Sequence, residues 1–462
     1  MTAWLGLLVP TALLYWALAP AAAQRSPMLR LLHLGLAMGL AAGLTSCLWF
    51  VARAAFDVPL SRYCAVETAL LMLLAWWRPR LPAPAPPPPA PRLPGSTPMR
   101  FAMPVLALLV FTWLMSTAVE WILHPHGAWD AVAIWNLHAH YLVAGGARWS
   151  ELSRQGARCA YHADYPLLVS AAVARLWNLS GATSPAVSGL LGAWFAAATV
   201  LLCSGAVGAV RGTNQALLTA VALLGGSFFV RQSGSQYADV PLAFYMLAAV
   251  AACVLHEATG RRAPGWLVVA GLCAGLAAWT KNEGLLFVVA LIAVCTATSI
   301  RRAGWRTTRR DAAALAIGLL PVLCVVAYFK LAFAPVNDLA AGQGPQATLA
   351  RLLDASRYPQ IAIGLGRAIG RVAKLLLAVL PAYYLLMGAT RVAAGRAAAR
   401  FALSVFAVML GGYCGVYVLT PQALAWHLNT SAPRLMLQLW PGTLMGVFLF
   451  LAAPEERLGG PS

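Results

Sequence analysis

Apolar runs long enough to cross a bilayer recur along almost the whole chain, and no soluble fold accommodates that pattern. Covering about 30 Å of hydrocarbon takes roughly 17–25 helical residues, and runs of that length stand at 31–52, 101–119, 185–210, 312–333 and 435–452. They are continuous rather than alternating, which selects helices over a β-barrel. Composition agrees: 61% of the residues are hydrophobic and 10% are charged, where soluble domains carry about a quarter charged. The expected fold class is therefore an all-α polytopic membrane protein.

Thirteen spans are expected, at 2–22, 31–52, 61–77, 101–119, 185–210, 215–232, 240–256, 265–280, 284–299, 312–333, 366–388, 401–420 and 435–452. Ala21-Ala22-Ala23 resembles a signal-peptidase site, but no basic residue precedes the apolar stretch, so 2–22 reads as a retained first span. Segment 78–100 holds four arginines among many prolines and reads as an extended, solvated linker. The organisation is then 1–77 for the first helices, 78–100 for the linker, 101–452 for the main membrane domain with an outer loop over 120–184, and 453–462 for a tail. No internal repeat is evident, which counts against transporter folds built from repeated halves. The nine cysteines show no paired spacing; Cys159 alone lies in a loop, and no disulfide framework is implied.

The net charge of +19 does not point to nucleic acid, because the arginines punctuate apolar runs instead of forming a patch. Segment 164–181 decides the topology. If it does not cross, loops 211–214, 257–264, 300–311 and 390–400 share one side and hold eleven arginines, against four basic residues in loops 233–239, 281–283, 334–365 and 421–434. The positive-inside rule prefers this arrangement. Segment 164–181 also carries Arg175 and Asn178, so it is expected to lie at the outer surface as an interfacial helix. The N-terminus is then outside and the C-terminus inside.

Acidic residues number 14, so their positions carry weight. Glu120, Asp130, Glu151, Asp164, Asp239, Glu283, Asp338 and Asp354 all fall on the expected outer face, as do five of the eight histidines within 120–165. Asp130, beside the membrane and close to Trp135 and His138, suits a general base; as a helix-start aspartate it equally suits a cap. His138 and His140 do not share a helical face, and a metal site would need a third ligand such as Asp130 or His162. Asp164 with Pro166 reads as helix initiation, and Asp239 as a cap near Pro241. Lys281-Asn282-Glu283 interrupts a nearly continuous apolar stretch from 265 to 299. Ionisable groups at membrane depth are costly, which points to function, although a tight turn closed by a Lys–Glu pair would also explain them. Arg434 suits a phosphate through its bidentate fork, or is a snorkelling residue.

Taken together, WDAVAIWNLHAH, HADYPLL, QYADVPLAFY, WTKNEGLLF and TSAPRLMLQLWP resemble, in that order, motifs of the GT-C fold glycosyltransferases. The likeness is narrower to bacterial family 39-like proteins of the dolichyl-phosphate-mannose–protein mannosyltransferase type. It covers about residues 101 to 450. The resemblance implies a GT-C-like bundle in a bacterial inner membrane, a polyprenyl-phosphate sugar donor, a periplasmic acceptor and no cofactor. It implies Asp130 as the catalytic acidic residue of the first outer loop. Trp135, His138, Arg148, His162, Asp164, Tyr165, Asp239, Lys281, Asn282, Glu283 and Arg434 are the candidate substrate-binding residues, with Trp129, Trp135 and Tyr165 as sugar-stacking rings and Lys281, Arg434 and Arg148 as cations for the phosphate. Two positions depart from the pattern. Ala131 follows Asp130 where a second acid is expected, which disfavours a metal. His138 stands in place of a lysine, which leaves the phosphate partner open. A lipid-linked-saccharide transporter or flippase, or an O-antigen-type polymerase or ligase, is the alternative.

Overall fold

A computed structural model describes residues 2–20, 26–78, 80–83, 97–145, 148–151, 162–337 and 344–458. Its elements in chain order are α1 (Thr2–Leu18), α2 (Pro27–Trp49), α3 (Leu60–Trp77), α4 (Thr97–Leu123), α5 (Asn136–Gly145), α6 (Leu168–Ser180), α7 (Pro185–Arg211), α8 (Thr213–Leu224) and α9 (Ser227–Gly234). There follow α10 (Asp239–Ala258), α11 (Pro264–Thr280), α12 (Glu283–Ala332), α13 (Pro345–Leu353), α14 (Arg357–Ala373), α15 (Leu376–Met387), α16 (Ala393–Leu419), α17 (Leu424–Phe450) and α18 (Pro454–Leu458). Two π-helical turns, Phe50–Ala55 and Ala131–Trp135, extend α2 and precede α5. Proline in the first turn starts α2, α7 and α11, where its missing N–H is not needed. Every expected span overlaps a helix, α1 covering 2–18 of the first, and the protein is an all-α polytopic membrane protein.

Among the described residues, by length and composition six helices can cross a membrane, or eight when two bent pairs are included. The bent pairs are α8 with α9, at 68°, and α14 with α15, at 77°, so the expected spans 215–232 and 366–388 are broken rather than straight. Helix α12 holds 284–299 and 312–333 in one 50-residue element that turns back at Gly304, whose φ of 73° lies in the left-handed region. Glycine reaches that region without a Cβ clash. The returning half of α12 packs against α11 at backbone contact: a Cβ on Gly271 would meet Leu315 O at 2.0 Å, a small-residue crossing typical of membrane helices.

Tertiary contacts sort the loops into two ends. At one, Leu81 N donates to Leu18 O and Trp266 Nε1 to Pro82 O, Arg211 binds Leu451 O and Glu456, and Arg261 pairs with Glu257 and Asp311. At the other, Ser46 donates to Leu168 O, Arg175 to Gly6 O, Gln236 to Pro125 O, Asn282 to Asp164 and Arg357 to Thr420 O. The arginine-rich loops and the acidic loops therefore occupy opposite ends. Helix α10 runs between them through the core, buried along its whole apolar length.

Four expectations are corrected here. Residues 97–100 already belong to α4, so the linker ends earlier than position 100; residues 84–96 lie outside the described residues. Residues 424–434 are helical too, which places Arg434 about three turns inside α17. Segment 164–181 forms α6, 13 residues long and too short to cross, but it is buried from Leu168 to Trp177 instead of lying on a surface. The reason is Arg175: its guanidinium binds Glu67, Tyr63 and Gly6 O, so the charge that seemed to need headgroups is met inside the protein. Asp164 does not start this helix either, whose N-cap is Leu167.

Candidate active site at one end of the bundle

Helix α10 begins with Asp239, a fully buried carboxylate. It does not cap its helix. Instead Asp239 Oδ1 accepts from Lys281 Nζ at 3.0 Å and Gln438 Nε2 at 2.7 Å, and Oδ2 accepts from Arg434 Nε at 2.7 Å. Burying a carboxylate costs several kcal/mol unless cations and donors surround it, and here three do.

Each partner comes from a different element. Lys281 ends α11 in an extended conformation, φ −154° and ψ 163°, which turns its side chain back toward Asp239; it also pairs with Glu283 at 2.9 Å. Burial lowers its affinity for a proton, but Asp239 and Glu283 outweigh burial and hold the ammonium above its ordinary value. From α17, Arg434 bridges Asp239 and Asp130 while its guanidinium lies 4.6 Å from the Tyr237 ring centroid. The Asp130 backbone N–H donates to Tyr237 Oη at 3.2 Å. Asp130 stands at the N-cap of the π-turn without any side-chain capping bond, so its carboxylate serves Arg434 and not the helix end. Arg434 likewise is tied to two carboxylates rather than snorkelling. Both the Lys281–Glu283 turn pair and the longer reach to Asp239 are present.

A second group adjoins the first. Asp164 Oδ2 accepts from Asn282 and Asn337, each at 2.7 Å, and Lys330 donates to Asn282 Oδ1 at 2.7 Å and to the Asp164 carbonyl. Lys281 Nζ lies over the Tyr165 ring, 5.8 Å from its centroid, and that ring stacks with Trp135, at 5.8 Å, and His162, at 4.5 Å. Burial raises the Tyr165 phenol above its usual value. Trp135 is fully buried. These two rings, expected to stack on a sugar, are thus engaged with each other; Trp129 is the exposed one, at 60%.

The structure therefore unites Asp130, His162, Asp164, Tyr165, Asp239, Lys281, Asn282, Glu283 and Arg434. Trp135 joins through Tyr165. His138 is buried beside His162 and Asp164, with no hydrogen-bond partner on either ring nitrogen among the described residues. Burial, helped by the neighbouring His162, holds its pKa down to about 4. His140 faces elsewhere, against Trp177. Arg148 is exposed and takes no part in the cluster. Sequence reasoning missed Gln438, Lys330, Asn337, Tyr237 and Tyr413, whose hydroxyl donates to Gln438 Oε1 at 2.6 Å. A polar residue one turn after Arg434 was the available signal for Gln438, and a lysine closing an apolar run was the signal for Lys330.

Two features of this end stand out. Among the described residues, Glu283 Oε2 is buried and accepts no hydrogen bond and neither ring nitrogen of His138 has a partner. Unsatisfied buried polar atoms are costly, and a hydroxyl-rich ligand would satisfy them. Among the described residues, no three of His, Cys, Asp and Glu converge as a metal site. Asp338 and Cys159 lie outside the described residues.

No family model matches this chain, and no curated protein matches it. Among solved structures, the crystal structure of ArnT from Cupriavidus metallidurans bound to undecaprenyl phosphate is similar, with a TM-score of 0.44 and 17% sequence identity. The match covers 74% of this chain and 59% of that one. At that level of similarity it assigns no role to any residue.

Proposed function

We propose that this chain is a GT-C-type membrane glycosyltransferase that moves a sugar from a polyprenyl phosphate to an acceptor hydroxyl on the outer side of a bacterial inner membrane. The observation that carries the reading is convergence. Five sequence segments that resemble the motifs of that class, far apart in the chain, meet in one ionic cluster at the end opposite the arginine-rich loops. A transport path would instead distribute polar groups along the spans.

In this mechanism Asp130 is the base. One of its oxygens is held by Arg434, which fixes the carboxylate; it takes the proton from the acceptor hydroxyl as that oxygen attacks the anomeric carbon. The bond from the anomeric carbon to the phosphate oxygen breaks, and the lipid phosphate departs with the electron pair, so configuration inverts and no second carboxylate acid is required. Glu283 Oε2 and His138 hydrogen-bond the sugar hydroxyls. Asp130→Asn in proteoliposomes given a panel of polyprenyl-phosphate sugars should lower transfer at least ~100-fold, the usual worth of a general base, with unchanged insertion. Normal transfer by that variant would remove Asp130 as the base.

A further inference from the structure

The central cluster has no cation to spare for a phosphate. Asp130, Asp239 and Glu283 face Lys281 and Arg434, which leaves one negative charge in excess, and Asp164 with Lys330 adds none. A lipid phosphate is itself an anion, so such a centre repels it unless other cations hold it. Lys281 and Arg434, the sequence-based choices for that task, are already balanced by carboxylates.

Unbalanced cations lie next door. Helices α14 and α17 run side by side in the same direction: Arg357 donates to Tyr417 O and Thr420 O just before α17 begins, and Gly364 abuts Leu428. At 1.5 Å rise per residue in both helices, Arg371 comes level with the Pro433–Leu435 stretch. Between them is a cavity of about 280 Å³ lined by Gln360, Ile363, Arg367, Arg371, Leu428 and Asn429, with Pro433, the neighbour of Arg434, in the same wall. No carboxylate lines it. Arg367 and Arg371 are four residues apart, so they share a face as like charges, and neither has an ion pair or hydrogen bond with a described residue.

We propose that this groove seats the phosphate headgroup of the polyprenyl donor, with Arg367 and Arg371 as its clamp. The guanidinium forks match phosphate oxygens bidentately, Gln360 and Asn429 add amide donors, and Ile363 and Leu428 offer apolar surface to the first isoprene units. The headgroup then lies beside Arg434, so a sugar attached to it reaches Asp130 while its phosphate stays outside the negative centre. The proposal rests on the reading of the donor as a polyprenyl phosphate.

The test is direct binding, not turnover. The full chain in phosphatidylcholine nanodiscs is titrated with a short polyprenyl monophosphate carrying no sugar. Arg367→Gln with Arg371→Gln should weaken binding about tenfold per arginine, as for hydrogen bonds to a charged group, whereas Asp130→Asn should leave it intact or tighten it. Undiminished binding by the arginine double variant overturns the groove whatever Asp130→Asn does to transfer. Equal weakening toward phosphatidylglycerol would mark a non-selective anionic-lipid face and overturn it as well. Loss of polyprenyl-phosphate binding together with normal transfer by Asp130→Asn would leave the groove standing and remove the base.

Discussion

Two ionic clusters are buried at the same end of the bundle, and they are built on opposite principles. Arg175, Glu67 and Tyr63 form a closed set: Arg175 Nε donates to Tyr63 Oη and Glu67 Oε2, both at 2.8 Å, Nη1 to Gly6 O at 2.8 Å and Nη2 to Glu67 Oε1. One positive charge meets one negative, and nothing is left over. The cluster around Asp239 is open: its charges do not balance, and among the described residues Glu283 Oε2 accepts nothing and the adjacent His138 uses neither nitrogen. The first arrangement fastens α6 to α1 and α3. The second retains unmet hydrogen-bonding capacity, which is what a site for a polar substrate requires. Counting buried ion pairs would not separate the two; counting what each leaves unsatisfied does.

The largest stability effect should come from opening the closed set. Glu67→Leu leaves Arg175 buried and unpaired, which costs about 3–5 kcal/mol, read as a lowered unfolding midpoint in detergent. Adding Arg175→Met should restore most of the loss, because a buried pair replaced by apolar groups is often neutral. A single variant as stable as the native chain would show that this cluster does not hold the helices.

The next effect concerns pH. Because burial keeps the His138 imidazole down to about 4, the folded protein refuses a proton that the unfolded chain takes up near its ordinary value of 6.5. The resulting stability is complete above about 6.5 and is lost as pH falls toward 4, an amount on the order of 3 kcal/mol. His138→Phe should flatten that acid loss in a midpoint-against-pH series. An unaltered slope would mean that another group controls it.

Smaller still is Glu283→Gln. A neutral amide in the open cluster should shift stability by less than about 1 kcal/mol, since it removes the excess negative charge while retaining polar contacts. Transfer should nonetheless fall about tenfold or more, the worth of a hydrogen bond to a charged group. The smallest effect on transfer, none, is expected at Gly304→Ala, which costs about 1 kcal/mol of stability for forcing a side chain into a positive φ; no stability loss at all would contradict the turn seen there.

The sequence revealed Asp130, Asp239, Lys281, Glu283 and Arg434 because ionisable residues are rare in so apolar a chain, and each interrupts or borders a hydrophobic run. It revealed the two ends because arginines gather in alternate loops. Pairings between distant segments were not legible. Arg175 looked like a headgroup-facing residue because Glu67 stands 108 positions earlier, and hydropathy carries no information about distant partners. Trp135 and Tyr165 were recognisable as aromatic, but not as stacked on each other. The breaks between α8 and α9 and between α14 and α15 were hidden too, since apolar content sets the length of a crossing and not its straightness.

The comparison between the clusters is tested most directly by measuring transfer per folded molecule and unfolding midpoint together, for Asp130→Asn and Glu67→Leu side by side. The account predicts opposite signatures: Asp130→Asn unfolds like the native protein and loses transfer at least ~100-fold, while Glu67→Leu unfolds early and transfers normally per folded molecule. Asp130→Asn that unfolds early and loses activity only in proportion, or that transfers normally, would contradict it.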